Sequence, residues 1–219
     1  QNDDAGKYAR LILVTADHAL KQTAFSEDDA QSLRQVTHGY LTKFTEIALA
    51  LQDGIVYCNQ KAYDRASLAF QRALHVGGDD GYVMPILRCF LGISFRCQGN
   101  SGTARAQFAF ALERALELDI YPAVIGATYE LRLLQGDNPS NEQCREALEK
   151  LALELGSRHT VGHIAVVEAI QYLNLGLTHE ARQLTRIGVG MLWHEMNTAE
   201  RARLASTIAQ AYIAFGLIR

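Results

Sequence analysis

Self-similarity constrains this chain more than any other feature. In the stretch 47–76, IALALQDGIVYCNQKAYDRASLAFQRALHV, small and aromatic residues fall at Gly54, Tyr57, Ala66, Phe70 and Ala73. In 85–112, the residues Gly92, Phe95, Ala104, Phe108 and Ala111 each stand 38 positions after their counterparts. Gly126 and Tyr129 follow Gly92 and Phe95 by 34, Ala169, Tyr172, Gly176 and Ala181 continue the register, and Ala209, Tyr212 and Gly216 repeat three of these 40 later. A fixed period of this size marks one supersecondary unit stacked on copies of itself. Within a unit the spacing is helical, since Ala-x3-Phe-x2-Ala puts Ala66, Phe70 and Ala73 on one stripe. A small residue on the preceding helix (Gly54, Gly92, Gly126) admits the following helix, and an aromatic one turn later (Tyr57, Phe95, Tyr129, Tyr172) fills the groove.

These positions match the small-and-aromatic pattern of tetratricopeptide (TPR) units, and the chain resembles that superfamily. The resemblance implies an all-α, right-handed α-solenoid of helix pairs, with about ten helices. Units are expected at about 47–80, 85–119, 120–156 and 160–194, with a partial unit at 197–219. The excess of 38 over a period of about 34 falls in the Gly-rich connection Gly77–Gly81. Residues 1–46 are less regular, but KYARLILVTADHALKQTAF and DDAQSLRQVTHGYLTKFTEIALA carry helical periodicity with Ser26 as a cap, so 1–219 is expected to form a single solenoid. Pro85 and Pro122 suit the first turn of a helix, and Ser140–Gln143 and Asn197–Glu200 have capping-box spacing. The final helix lacks a mate, so its apolar face requires a partner, a capping helix or a further unit.

Composition narrows the function. With 21 Lys+Arg against 24 Asp+Glu, net charge −3 and no Lys/Arg run, the electrostatic case for nucleic-acid binding is missing. No stretch reaches the roughly 18 uninterrupted apolar residues of a membrane span. Cys58, Cys89, Cys97 and Cys144 form no CxxC pair and read as small apolar residues of a reducing compartment. The start Gln1-Asn2-Asp3-Asp4 lacks Met and any signal pattern, and the chain reads as a piece of a longer intracellular protein.

Catalytic signals are weak. His159 and His163 are four apart, but no Glu completes an HExxH motif; His194-Glu195 fails likewise, and the aspartates of Gly77–Gly81 do not form a calcium loop. No GxGxxG, GxxxxGK[ST] or G-x-S-x-G occurs. No catalytic residue, metal or cofactor is expected. Arg114 and Glu117 are three apart, and Arg145/Glu149 and Glu146/Lys150 are four apart, the spacings of solvated helix faces.

In such a solenoid the first helix of each pair lines the concave surface. The register assigns to it Ile55, Cys58 and Asn59; Ile93, Arg96 and Cys97; Ala127, Glu130 and Leu131; and Ile170, Leu173 and Asn174. This mixed lining suits an extended peptide or a helix laid in the groove, with Asn59 and Asn174 bonding a main chain and Arg96 and Glu130 selecting charge. Contact with another helix of the same protein is the equal alternative.

The run Arg88-x3-Gly92-x2-Phe95…Ala104-Arg105-x2-Phe108-x2-Ala111-Leu112, then Ala123-x2-Gly126-x2-Tyr129-Glu130-Leu131 and a long turn into Ala147-Leu148, resembles the TPR scaffold subunits of the RNA polymerase II-associated factor (PAF) elongation complex. The likeness covers about residues 47–152, the expanded third turn included. It departs in the Gly77–Gly81 insertion, about one extra helical turn near Arg114–Asp119, and missing prolines at unit ends. It implies a non-catalytic nuclear scaffold without cofactor, gripped by other subunits through extended segments and helices. A bacterial TPR protein, either a secretion chaperone or the sensor solenoid of a transcription activator, is the alternative.

Overall fold

A computed structural model describes residues 40–77, 81, 83–135 and 141–214, and every regular element among them is an α-helix. In chain order these are α1 (Tyr40–Asn59), α2 (Tyr63–Gly77), α3 (Met84–Cys97), α4 (Ser101–Glu117), α5 (Tyr121–Leu133), α6 (Asn141–Glu154), α7 (Arg158–Asn174), α8 (Thr178–Leu192) and α9 (Thr198–Ala214). Two helices fall in each expected unit and one in the partial unit. One boundary differs: α1 is continuous from Tyr40, through the division expected at 46/47. The expected Ser26 and Ser140–Gln143 caps, the helices of 1–39 and Gly216 lie outside the described residues.

Several helices end in the same way, α6 at Gly156 included. At the ends of α1, α3 and α7, the residue four after the aromatic adopts a left-handed backbone: Lys61 (φ 58°), Gly99 (81°) and Gly176 (71°). Each turn closes with the same pair of hydrogen bonds. The amides of Ala62, Asn100 and Leu177 donate to the carbonyls of Tyr57, Phe95 and Tyr172 at 2.8, 2.9 and 2.9 Å, and those of Lys61, Gly99 and Gly176 donate to Cys58, Arg96 and Leu173, each at 2.9 Å. This is the Schellman closure, which satisfies two carbonyls that a helix end otherwise leaves open. Glycine makes the left-handed residue inexpensive at two of the three sites.

Helix starts follow the local chemistry. Pro85 and Pro122 sit in the first turns of α3 and α5, where a missing N–H costs nothing. Ser157 caps α7, its Oγ accepting from the Thr160 amide at 3.1 Å. Asn197 and Glu200 form the expected capping box: Oδ1 of Asn197 accepts from the Glu200 amide at 3.0 Å, and Glu200 Oε2 accepts from the Asn197 amide at 2.8 Å. Asn197→Ala removes the first bond and is expected to cost about 1 kcal/mol, read as a lower urea midpoint with an unchanged denaturant slope.

The chain divides into two compact units, Gln1–Gln107 and Phe108–Arg219, at a point within α4. In the first, α2 packs between α1 and α3. Its core joins Ile47, Ala50, Ala73 and Leu87, and Phe70 stacks on Phe90 with centroids 5.6 Å apart. Gly54 serves as expected, since a Cβ there would lie 2.3 Å from the Phe70 ring. Gln98 at the end of α3 donates to Tyr63 O at 2.8 Å and Ser67 Oγ at 3.2 Å, tying α3 to the start of α2.

In the second unit α7 is the hub, in contact with α5, α6, α8 and α9. Tyr129 and Tyr172 meet edge to face with centroids 5.6 Å apart. The Tyr129 hydroxyl donates to Gln183 Oε1 at 2.9 Å and the Tyr172 hydroxyl to Glu130 Oε1 at 2.8 Å, so both register tyrosines carry a polar tip into a bonded interior. Gly126 departs from the expected role: the group that occupies its missing side-chain space is the Glu168 carboxylate of α7, with Oε2 3.2 Å from a Cβ built there. Within the units, contacts of α1 with α2, α2 with α3, α5 with α6, α6 with α7 and α7 with α8, and of α5 with α7 and α7 with α9, are compatible with a helical-repeat stack.

Candidate interaction groove

The concave register does not translate into one open lining. Cys58, Ile93, Ala127, Glu130 and Leu173 are buried, whereas Ile55, Asn59, Arg96, Cys97, Leu131, Ile170 and Asn174 are half-buried. Glu130, expected to select charge on a partner, is 0 % exposed and accepts the Tyr172 hydroxyl. It is a packing residue. Asn174 Nδ2 donates to Gln171 Oε1 at 3.3 Å, along its own helix. In the second unit α5 is flanked by α6 and α7, and α7 by α8 and α9, so the register gives the face of a residue without giving its depth.

An open apolar surface exists elsewhere, on the last described helix. Between α8 and α9 lies a groove of about 640 Å³. Val189 and Trp193 form one wall, and Leu204, Ala205 and Ile208 the other. Its walls are anchored in the core: Leu204 belongs to the buried cluster of Val166, Leu192, Met196 and Leu204, against which Val189 and Ile208 pack. The rim is fixed by directed bonds: Arg201 Nε donates to Trp193 O at 3.0 Å, its guanidinium lies 4.9 Å from the centre of the indole, and Thr185 Oγ1 and the Tyr212 hydroxyl are 3.2 Å apart. Sequence reasoning anticipated an uncovered face on α9 but not the residues opposite it on α8. The signal was present in the only tryptophan of the chain, placed just after a helix of strongly one-sided pattern.

The titratable groups make no further site. His159 and His163 do meet, with their Nε2 atoms 3.1 Å apart, and Glu195 Oε2 lies 3.6 Å from His159 Nδ1. Burial first, then the neighbouring His159, hold the His163 imidazole below its ordinary value, with Glu200 opposing. Among the described residues no three His, Cys, Asp or Glu side chains converge as a metal cage. The four cysteines are all thiols, and burial pushes Cys58 up to about 12 and Cys144 to about 11, far from the thiolate needed for nucleophilic chemistry at neutral pH. Arg114 and Glu117 pair along α4 as their spacing suggests. Glu149 instead takes a bond from Arg158 Nη2 of α7 at 2.6 Å, and Lys150 approaches Glu154 at 3.9 Å. No described helix is long and apolar enough to cross a membrane. No protein-family model, curated protein or solved structure matches the chain.

Proposed function

We propose that this chain is a non-catalytic protein–protein interaction module, a right-handed TPR-type α-solenoid. The observation that carries the interaction is the open groove between α8 and α9, whose aliphatic and aromatic walls are anchored in a core cluster. Support for a helical repeat comes from the shared hydrogen-bond closure of the helix ends at Lys61, Gly99 and Gly176. The finer reading is a nuclear segment of a PAF-complex scaffold subunit that holds other subunits of the complex. It rests on the sequence likeness of residues 47–152, including the long connection after α5.

Affinity capture of the tagged parent protein from its native cells, followed by mass spectrometry, tests this. Recovery of RNA polymerase and other elongation-complex subunits is the expected result. Recovery of secreted substrates, or of nothing nuclear, removes the PAF assignment in favour of a bacterial-type TPR protein.

A further inference from the structure

The groove does not stop at α8. Arg186, Gly190 and His194, four residues apart along one face of α8 and the turn after it, border both this groove and a second cleft of about 390 Å³ on the side of α6. Among the described residues that cleft is lined by Arg145, Arg158, Arg186 and His194, and by Glu149, which Arg158 engages. A chain of net charge −3 thus brings three arginines, the exposed Arg186 among them, to the lining of one cleft beside its open apolar surface. Gly190 forms the saddle between the two. A Cβ there would meet nothing within 4 Å, so no close neighbour requires a glycine. Glycine inside a helix costs about 0.5–1 kcal/mol relative to alanine; its effect at this position is to leave the ridge low, so that groove and cleft form one surface.

We infer that this surface receives an acidic amphipathic helix of a partner protein. Apolar residues at helical spacing enter the groove beside Val189, Leu204 and Ile208, the partner backbone crosses over Gly190, and carboxylates on the adjoining face meet the arginine cleft. The inference deepens the interaction-module reading and rests on it. A cleft bounded by two helices takes a third helix in ridge-and-groove fashion, and no described strand offers an edge for an extended peptide. The aliphatic walls favour protein over nucleic acid, because a phosphodiester chain has no apolar anchor for them and the indole already carries the Arg201 guanidinium. Charge complementarity sets the direction and speeds the encounter.

Trp193 supplies the readout, being the only tryptophan and 44 % exposed at the groove wall. The full chain is titrated with a synthetic helical peptide bearing a leucine stripe flanked by glutamates, and with its lysine counterpart. The expected result is a saturable blue shift of Trp193 emission, with affinity for the acidic peptide about tenfold or more above that for the basic one and falling with added salt. Arg186→Glu and Gly190→Phe each weaken binding by about tenfold, with no fall in melting temperature because both positions face solvent. Equal affinity for the two peptides, a silent Trp193 at saturation, or undiminished binding by Gly190→Phe overturns the proposal. So does displacement of the peptide by polyuridylate, which would assign the cleft to nucleic acid, or a peptide-resistant dimer in sedimentation, which would assign it to a second copy. Capture of elongation subunits is scored independently, so failure of the peptide leaves the module reading intact.

Discussion

Gly188→Leu is expected to unfold the second unit. α7 and α8 cross where Gly162 faces Gly188, and the approach is backbone to backbone. A Cβ on Gly188 would lie 2.8 Å from Gly162 O, 2.9 Å from Val166 Cγ2 and 3.1 Å from Val166 N; one on Gly162 would lie 2.8 Å from Leu192 Cγ and 3.1 Å from Gly188 O. Main-chain atoms cannot rotate aside as a flexible side chain can, so the helices must separate. Separation opens the cluster of Val166, Leu192, Met196 and Leu204 that supports the groove. Overpacking a well-packed core costs about 1–3 kcal/mol when side chains can adjust. Against fixed backbone, and with core opened as well, the loss should exceed about 4 kcal/mol. Gly190→Ala is the matched control, two residues along the same helix in open space, and it should gain up to about 1 kcal/mol through helix propensity. Thermal unfolding followed by far-ultraviolet circular dichroism decides: a Gly188→Leu melting temperature equal to that of Gly190→Ala would mean that α7 and α8 do not cross at this pair.

The same crossing shows where the sequence was readable and where it was not. The register of Gly54 and Phe70 translates directly into a helix pair, because the ring of Phe70 on α2 fills the space left by Gly54 on α1. In the fourth unit the register position is held by Ala169, while the close approach is made by Gly162, seven residues and about two helical turns earlier on the same face. A consensus spacing identifies the stripe; it does not say at which turn two helices come closest. Depth was also hidden. Glu130 reads as a groove charge by register, but burial between neighbouring helices turned it into the acceptor for Tyr172. The arginine cleft could not be seen as a charge run, since Arg145, Arg158 and Arg186 come from three helices and meet only once α6, α7 and α8 pack. By contrast, the reciprocal cap of Asn197 and Glu200 needs only four consecutive residues, and it formed as the spacing dictated.

Glu168→Gln is expected to stabilise the second unit, and to do so progressively more as pH rises. The Glu168 stem is half-buried, but its carboxylate is turned inward against Gly126 of α5, and burial pushes it from 4.5 up to about 8. The direction of the effect follows from proton bookkeeping. Below about pH 4.5 the folded and unfolded chains both hold the proton, and the group has no net influence. Between pH 4.5 and 8 the unfolded chain releases a proton that the folded chain keeps, so stability falls by up to about 1.4 kcal/mol per pH unit and levels off above the folded value. With partial solvent access reducing the full figure, the wild type should lose about 2–3 kcal/mol between pH 5 and pH 8 through this one group. Glutamine keeps the shape without the ionisation, so the variant and the wild type should have similar urea midpoints at pH 4.5 and diverge towards pH 8. Because the comparison is between two chains differing at one atom pair, the opposite influence of His163, whose depressed imidazole weakens the fold on the acid side, cancels. Parallel midpoint profiles for the two chains would place the Glu168 carboxylate in water and the α5–α7 contact elsewhere. Packed against the one glycine of α5, the Glu168 carboxyl is accommodated as a neutral acid, and it weakens the fold only as rising pH ionises it.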